Sequence, residues 1–210
     1  MNGFFATDGP LFTFMYKAGQ IVIINIICLV CCIPIVKIIP ALSAMYYATV
    51  KAVRHDRGYA VKEYFRSFVH CLGKGILFGI LYLTLFLLIY IDIFVVKTDK
   101  SVYLTIYGII LSIFSIALMY LIPILSRFKL KFFEMIKLSL IMSVRHLPTT
   151  LVLIAGLGAL IFAQIYIFPM VTIVFVPCGW CFVASYLTER VMKKYMSVEV
   201  SEDADAWYLE

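Results

Sequence analysis

Charged residues are scarce in this 210-residue chain. Asp, Glu, Lys and Arg make up 14% of the sequence and hydrophobic residues 64%, and the mean hydropathy is +1.02. Soluble domains carry about 25% charged and about 45–50% apolar residues. The apolar excess is too large for one folded core, so we expect most of it to face lipid. The composition argues against an ordinary soluble domain and predicts an all-α polytopic integral membrane helical bundle.

Signatures of catalysis and of nucleotide binding are also missing. The sequence contains no G-x-S-x-G, no S-x-x-K and no H-E-x-x-H. Its only Gly-Lys pair, Gly73-Lys74, lacks the upstream glycine and the following Ser or Thr of a phosphate loop. We therefore expect no enzymatic activity, no catalytic residue, no cofactor and no metal. Any dependence on nucleotide would have to come from another subunit.

Long apolar runs dominate what is present. A spanning helix needs about 20 mostly apolar residues, and three runs meet that requirement. A fourth, charge-free stretch between Arg145 and Glu189 is long enough for two helices. We place the break between them near Phe168-Pro169, because Pro cannot continue a helix without losing a hydrogen bond. The sequence thus predicts one transmembrane domain over residues 1–195 with five spans, near residues 20–39, 75–96, 102–125, 148–167 and 170–188.

The distribution of basic residues predicts an orientation. Fourteen Lys and Arg residues fall in the loops on one side of these spans, whereas only Lys17, Lys97 and Lys100 fall on the other. Cytosolic loops retain Lys and Arg, so we expect the N-terminus outside and the C-terminus in the cytosol. The basic loops would face anionic lipid rather than nucleic acid. Residues 196–210 form an acidic tail that we expect to be disordered in the cytosol.

The opening residues have no positive charge before Lys17, so they do not resemble a cleaved signal peptide. With the N-terminus outside, Phe4, Phe5 and Asp8 become candidates for lipid anchoring or for an outer contact surface. The sequence is compatible with both.

The loop after the first span contains an amphipathic pattern. In residues 60–72 the apolar positions recur at helical spacing, which predicts a cytosolic amphipathic helix preceded by another over residues 41–55, with a turn at Asp56-Arg57-Gly58. Such helices lie in the headgroup layer or dock on a partner. Residues 128–144 repeat the pattern less regularly. The candidate partner or lipid contacts are Phe4, Phe5, Asp8, Tyr64, Phe65, Arg66, Phe68 and Arg127.

Three polar residues lie inside the predicted spans: Asn25, Asp92 and Gln164. Polar groups in the membrane are costly and are functional candidates, although Asp92 lies near a span end and suits an interfacial carboxylate. Gly75-x-x-x-Gly79 predicts close helix packing, as do Gly156 and Gly158 within a second small-residue stretch. Kinks or helix ends are expected at Pro34, Pro123 and Pro177.

Two C-x-x-C pairs, Cys28 to Cys31 and Cys178 to Cys181, lie in the first and last spans. Such pairs can bind metal or exchange thiols. We favour buried cysteines that act as small hydrophobic residues, because these positions lie within the bilayer and away from an oxidising surface.

Several stretches together resemble the YesL family of bacterial membrane proteins, a domain family of unknown function. They are Gly3-Phe4-Phe5, Asp8-Gly9-Pro10-Leu11, Cys32-Ile33-Pro34-Ile35-Val36, Pro40-Ala41, Ala44-Met45-Tyr46-Tyr47, Lys51, Arg54, Asp56, Gly58-Tyr59, Phe65-Arg66-Ser67-Phe68, Pro123, Arg127-Phe128 and His146-Leu147-Pro148. The resemblance implies a small multispan protein of the bacterial cytoplasmic membrane. Members are often encoded beside carbohydrate ABC-transporter genes.

Two functional hypotheses follow. The first is a non-enzymatic accessory or regulatory component associated with carbohydrate (ABC-type) uptake, with transporter subunits and the lipid bilayer as partners. The alternative is a small-solute membrane carrier or channel acting as an oligomer.

Overall fold

The described residues of this computed structural model, 10–95, 100–128, 130–166 and 169–195, are helical and contain no strand. This confirms the all-α prediction. The elements are α1 (Pro10–Cys31), a 3₁₀ helix (Ile35–Lys37), α2 (Ile38–Ala48), a π-helix (Thr49–Arg54), α3 (Ala60–Val95), α4 (Lys100–Arg127), α5 (Phe132–Arg145), α6 (Leu147–Tyr166) and α7 (Pro169–Lys193).

The first predicted span is broken in two. Helix α1 ends at Cys31, Pro34 is extended with φ −78° and ψ 111°, and the chain then turns through the 3₁₀ helix into α2. The span predicted near residues 20–39 is therefore not a single helix. Pro34 cannot donate a backbone hydrogen bond, and it pushes the residue before it out of the helical region. The predicted helix end at Pro34 is confirmed.

Helix α2 returns alongside α1, and this changes the predicted sidedness. The ammonium group of Lys17, in α1, lies 2.8 Å from a carboxylate oxygen of Asp56, in the turn after the π-helix. The basic-residue count had placed Lys17 and that turn on opposite sides of the bilayer, and two groups in contact cannot be separated in this way. The predicted turn itself is confirmed, since Asp56 and Gly58 both have positive φ, 51° and 86°.

Helix α3 merges two predicted elements. The amphipathic helix over residues 60–72 and the span over residues 75–96 form one continuous helix of 36 residues, which is about 54 Å long at 1.5 Å per residue. A hydrocarbon core is only about 30 Å thick. If the apolar second half of α3 crosses the membrane, its first half must project beyond it.

Two helices are long and apolar enough to cross a membrane, Ala60–Asp92 and Thr105–Arg127. A third candidate is the pair of α5 and α6, which is bent by 93° between the two helices. These counts refer to the described residues only, and the five-span count stays a prediction. Helix α6 is described as far as Tyr166 and α7 from Pro169 onward, so the break predicted near Phe168-Pro169 falls partly outside the described residues and stays a prediction.

Small residues allow the closest helix contacts. A Cβ added at Gly75 would lie 2.8 Å from Cβ of Pro40, and one added at Gly79 would lie 2.5 Å from the carbonyl oxygen of Val36. These glycines let α3 approach the start of α2 and the 3₁₀ helix, as the Gly75-x-x-x-Gly79 spacing predicts. Gly156 similarly faces the ring of Trp180, whereas Gly158 faces open space.

The substitution Gly79→Ala tests this contact. We expect it to lower the free energy of unfolding by about 1–3 kcal/mol, because the new methyl group would overlap backbone of the 3₁₀ helix. Gly73→Ala is the matched control, since a Cβ there meets nothing within 4 Å and alanine favours helix over glycine. Thermal unfolding in detergent should show a loss for Gly79→Ala only. Equal melting temperatures for both variants would contradict the close approach.

Candidate functional site

A buried carboxylate joins three parts of the fold. Glu189 in α7 pairs with Arg127 at the end of α4 and lies 3.3 Å from a guanidinium nitrogen of Arg54 at the end of the π-helix. Nε2 of His55 lies 3.9 Å from the same carboxylate. The side chains of Glu189 and Arg127 are only 7% and 1% exposed. We call these four residues the ionic cluster.

The local backbone structure places the side chains of Arg54 and Arg127 beside Glu189. In the π-helix, the amide of His55 donates to the carbonyl of Val50 at 3.1 Å, a wider turn than in an α-helix. Such π turns are rare and frequently occur at functional sites. Arg127 occupies the last turn of α4, where the helix dipole favours a cation.

Hydroxyl groups and an aromatic ring surround the ionic cluster. The hydroxyl groups of Tyr46 and Thr188 are 2.8 Å apart, and Arg54 donates to the hydroxyl of Ser185 at 3.3 Å. The guanidinium of Arg54 lies 4.1 Å from the ring centre of Tyr186, a cation–π contact. Burial raises the pKa of Tyr46, so its hydroxyl stays protonated. These contacts bind the α2 and π-helix segment to α7.

The charge balance of the ionic cluster suits a structural role, in which it holds α4, α7 and the π-helix together. Two arginines share one carboxylate, and burial lowers the pKa of His55, although Glu189 opposes that shift. His55 is therefore neutral at pH 7, and the cluster carries a net positive charge. In the described part of the chain, no group of three or more His, Cys, Asp or Glu residues could hold a metal ion.

A second buried ion pair fixes the first turn of α3. Nζ of Lys51, in the π-helix, lies 2.9 Å from Oε2 of Glu63, and both side chains are about nine-tenths buried. Lys51 also donates to the hydroxyl of Tyr47 at 3.3 Å. A Cβ at Gly58 would lie 3.0 Å from the Glu63 carboxylate, and its φ of 86° is one that glycine adopts readily. The turn before α3 is therefore tightly specified.

The outer side of the same half of α3 is exposed. Val61, Phe65 and Val69 are 40%, 48% and 67% exposed, and they recur every four residues along one stripe. The exposed side chain of Arg66 lies beside them. We call Val61, Phe65, Arg66 and Val69 the α3 face.

Two of the predicted contact residues, Tyr64 and Arg127, are buried and therefore do not belong to the α3 face. Tyr64 is fully buried, its ring stacks on Phe68 at 6.1 Å, and its hydroxyl donates to the carbonyl of Ala41 at 3.4 Å. The prediction of Tyr64 as a lipid or partner contact is therefore wrong, because α2 covers that side of the stripe. Phe68 is half-buried. Arg127 is likewise no surface contact, since its side chain is buried in the ionic cluster.

The other predicted residues lie apart from one another. Phe4, Phe5 and Asp8 fall outside the described residues. Asn25 is buried within the bundle, and Asp92 accepts a hydrogen bond from Tyr107 near the far end of α3, as a terminal carboxylate would. Gln164 lies in α6, and its side chain is outside the described part.

The cysteines come together, but as free thiols. Cys28 and Cys178 are buried in one core cluster, against which Cys31, Cys32 and Cys181 pack. The Sγ atoms of Cys28 and Cys32 are 3.9 Å apart, and the hydroxyl of Thr49 lies 3.1 Å from Sγ of Cys178. This arrangement agrees with the interpretation of these cysteines as small packing residues.

Sequence reasoning missed Arg54, His55 and Glu189 as site residues. One signal was present, since Glu189 is the only acidic residue between Glu134 and the tail, and Arg190, Lys193 and Lys194 follow it. A lone carboxylate between an apolar run and a basic segment suggests a buried partner. Which cation it meets depends on long-range packing.

Comparison with known proteins gives one match. Residues 21–93 match the model of the family described as "Protein of unknown function, DUF624". This segment contains Arg54, His55 and the α3 face, whereas Arg127 and Glu189 lie beyond it. No curated protein and no solved structure matches the chain.

Breaking the ionic cluster should destabilise the fold. We expect Arg127→Met to lower the free energy of unfolding by about 3 kcal/mol, because it removes a buried cation from Glu189. The double variant Arg127→Met with Glu189→Met should recover part of that loss. Thermal or denaturant unfolding in detergent measures both.

Lys17→Met is the control, because its pair with Asp56 is exposed and should contribute less than about 1 kcal/mol. If Arg127→Met were no less stable than Lys17→Met, the cluster would not hold the helices together.

Proposed function

We propose that this chain is a non-enzymatic accessory component of carbohydrate uptake. Through residues 21–93 it belongs to the DUF624 family of YesL-like membrane proteins of unknown function. In this proposal it docks on an ABC-transporter subunit through the α3 face. The observation that carries the proposal is the first half of α3, which is continuous with the apolar second half of the same helix and exposes an apolar and basic stripe.

The continuity of α3 favours docking over a position in the headgroup layer. An interfacial helix lies in the membrane plane, whereas the first half of α3 continues directly into an apolar helix long enough to span. Its 36 residues contain no proline to kink it. From Ala60 to Gly75 the helix rises about 22 Å. The α3 face would stand off the membrane, where a partner can reach it.

The contacts that hold the α3 face in place suit protein recognition. The Lys51–Glu63 pair and the packing of Tyr64 under Ala41 hold the inner side of α3 in place. A surface that is already ordered loses little conformational entropy when it binds. Single exposed apolar side chains are ordinary, but here three follow one helical stripe beside an arginine. Apolar anchors with adjacent Arg are typical of interface centres.

The carbohydrate part of the proposal rests on the YesL resemblance, whose members are often encoded beside carbohydrate ABC-transporter genes. The missing phosphate loop supports an accessory role, since a transporter subunit would bind the nucleotide. By the positive-inside rule, we propose that the basic end of the bundle, with Arg54, Arg127 and now Lys17, faces the bacterial cytosol.

A carrier or channel acting as an oligomer remains the alternative, and buried Asn25 is the observation that favours it. Solute flux into proteoliposomes that Asn25→Ala abolishes would support this alternative.

The α3 face can be tested by mutation. We expect Phe65→Ser with Val69→Ser to reduce recovery of carbohydrate ABC-transporter subunits by about tenfold or more in affinity purification from mild detergent. Loss of central apolar anchors typically costs 1.4 kcal/mol or more, which corresponds to that factor. Quantitative mass spectrometry of the co-purified subunits provides the measurement.

Val144→Ser, on α5, is the matched control, because Val144 and Val69 are 69% and 67% exposed. Both variants should melt like the wild type. The proposal fails if the wild-type protein recovers no transporter subunit, or if Val144→Ser reduces recovery as much as the α3-face variant.

A further inference from the structure

An apolar cleft lies between α3, α4 and α5. Its volume is about 150 Å³. The residues that line it include Phe78, Tyr82, Ala117, Ile136, Ser139 and Leu140. We call this space the apolar cleft. Two of these side chains, Ala117 and Ser139, are small, and the hydroxyl of Ser139 is turned to the carbonyl of Ile136 at 2.9 Å.

The residues at the rim of the apolar cleft indicate whether it opens toward lipid or toward water. Its rim residues Leu81, Ile113 and Leu140 are 37%, 51% and 38% exposed. Leu81 and Ile113 belong to the two candidate spans, whose outer apolar surface has to meet lipid chains. If these two helices cross the membrane, the apolar cleft opens toward the hydrocarbon region.

The position of the last charged residue before the apolar stretch of α3 indicates how deep in the membrane the apolar cleft lies. Lys74 is the last charged residue of α3 before the apolar stretch that ends at Asp92. Phe78 and Tyr82 follow it by about 6 Å and 12 Å along the helix axis. The apolar cleft thus lies within the first two or three turns of the span, just below the level of the headgroups.

Two basic residues, Lys74 and Lys137, are close in sequence to residues that line the cleft. Lys137 is exposed on α5, one turn before Leu140, which lines the cleft, and it also lines a neighbouring pocket with Glu134 and Ile141. Glu134 accepts a hydrogen bond from the amide of Lys131 at 3.0 Å and so caps the start of α5. Lys74 donates to the carbonyl of Leu130 at 2.8 Å and anchors the start of α5 beside the cleft.

We propose that the apolar cleft binds one acyl chain of an anionic phospholipid, whose phosphate pairs with Lys137. A cavity of this volume lined by apolar groups stays dry and takes an apolar group about the size of benzene. It therefore suits a segment of an acyl chain, and the rest of the chain extends along the exposed faces of α3 and α4. Lys137 provides the charge that selects an anionic headgroup.

The test uses phosphatidylglycerol with a photoreactive diazirine in its acyl chain, reconstituted with the full-length protein in vesicles. Crosslinks mapped by mass spectrometry should fall on cleft residues such as Leu81 and Ile113. Ala117→Leu, which fills the cleft, should reduce them by about tenfold, because each excluded methylene removes a contribution to chain burial. Gly108→Leu is the control on the same helix, since a side chain there meets nothing within 4 Å.

The exposed variant Lys137→Gln tests the headgroup without altering the cleft. It should weaken phosphatidylglycerol labelling several-fold and leave labelling by a phosphatidylcholine probe unchanged, whereas Lys62→Gln should change neither. Labelling spread evenly over α3 and α4, or unchanged in Ala117→Leu, would overturn the site. Equal labelling by both lipids in the wild type would overturn the anionic headgroup.

Discussion

Glu189 brings a carboxylate into an apolar bundle, and a buried carboxylate is stable only where cations and hydrogen-bond donors surround it. Arg127 and Arg54 supply the cations, from the ends of α4 and of the π-helix. These two arginines are 73 residues apart in the chain. The Glu189 side chain, in α7, therefore connects two segments that are distant in sequence, the end of the π-helix and the end of α4. The α1–α2 hairpin and the candidate spans thereby share one fixed point.

The two halves of α3 meet different surroundings. The first half packs its inner side on α2 through Tyr64 and the Lys51–Glu63 pair, and presents the α3 face outward. The second half packs on α4 and α5 around the apolar cleft. Gly75 and Gly79 mark the change, where α3 approaches Pro40 and Val36 most closely. A single helix thus connects the α3 face to the apolar cleft.

Local patterns in the sequence predicted the features that depend on neighbouring residues. These include the all-helical fold, the helix end at Pro34, the turn at Asp56 and Gly58 and the glycine contacts of α3. The failures involve partners far apart in sequence. Periodicity identified the apolar stripe of α3 but not that α2 buries Tyr64, and counting charges could not reveal that Lys17 meets Asp56. The ionic cluster likewise depends on the packing of three segments.

The central claim is that Glu189 fixes the π-helix relative to α7, and that the Lys51–Glu63 pair passes this constraint on to the first half of α3. Spin labels on cysteines at Val69 and Val183, both exposed, would report this distance by pulsed electron resonance, with the native cysteines replaced. We predict one narrow distance distribution in otherwise wild-type protein and a broad or shifted one in Glu189→Ala. An unchanged narrow distribution in a folded Glu189→Ala protein would contradict the account.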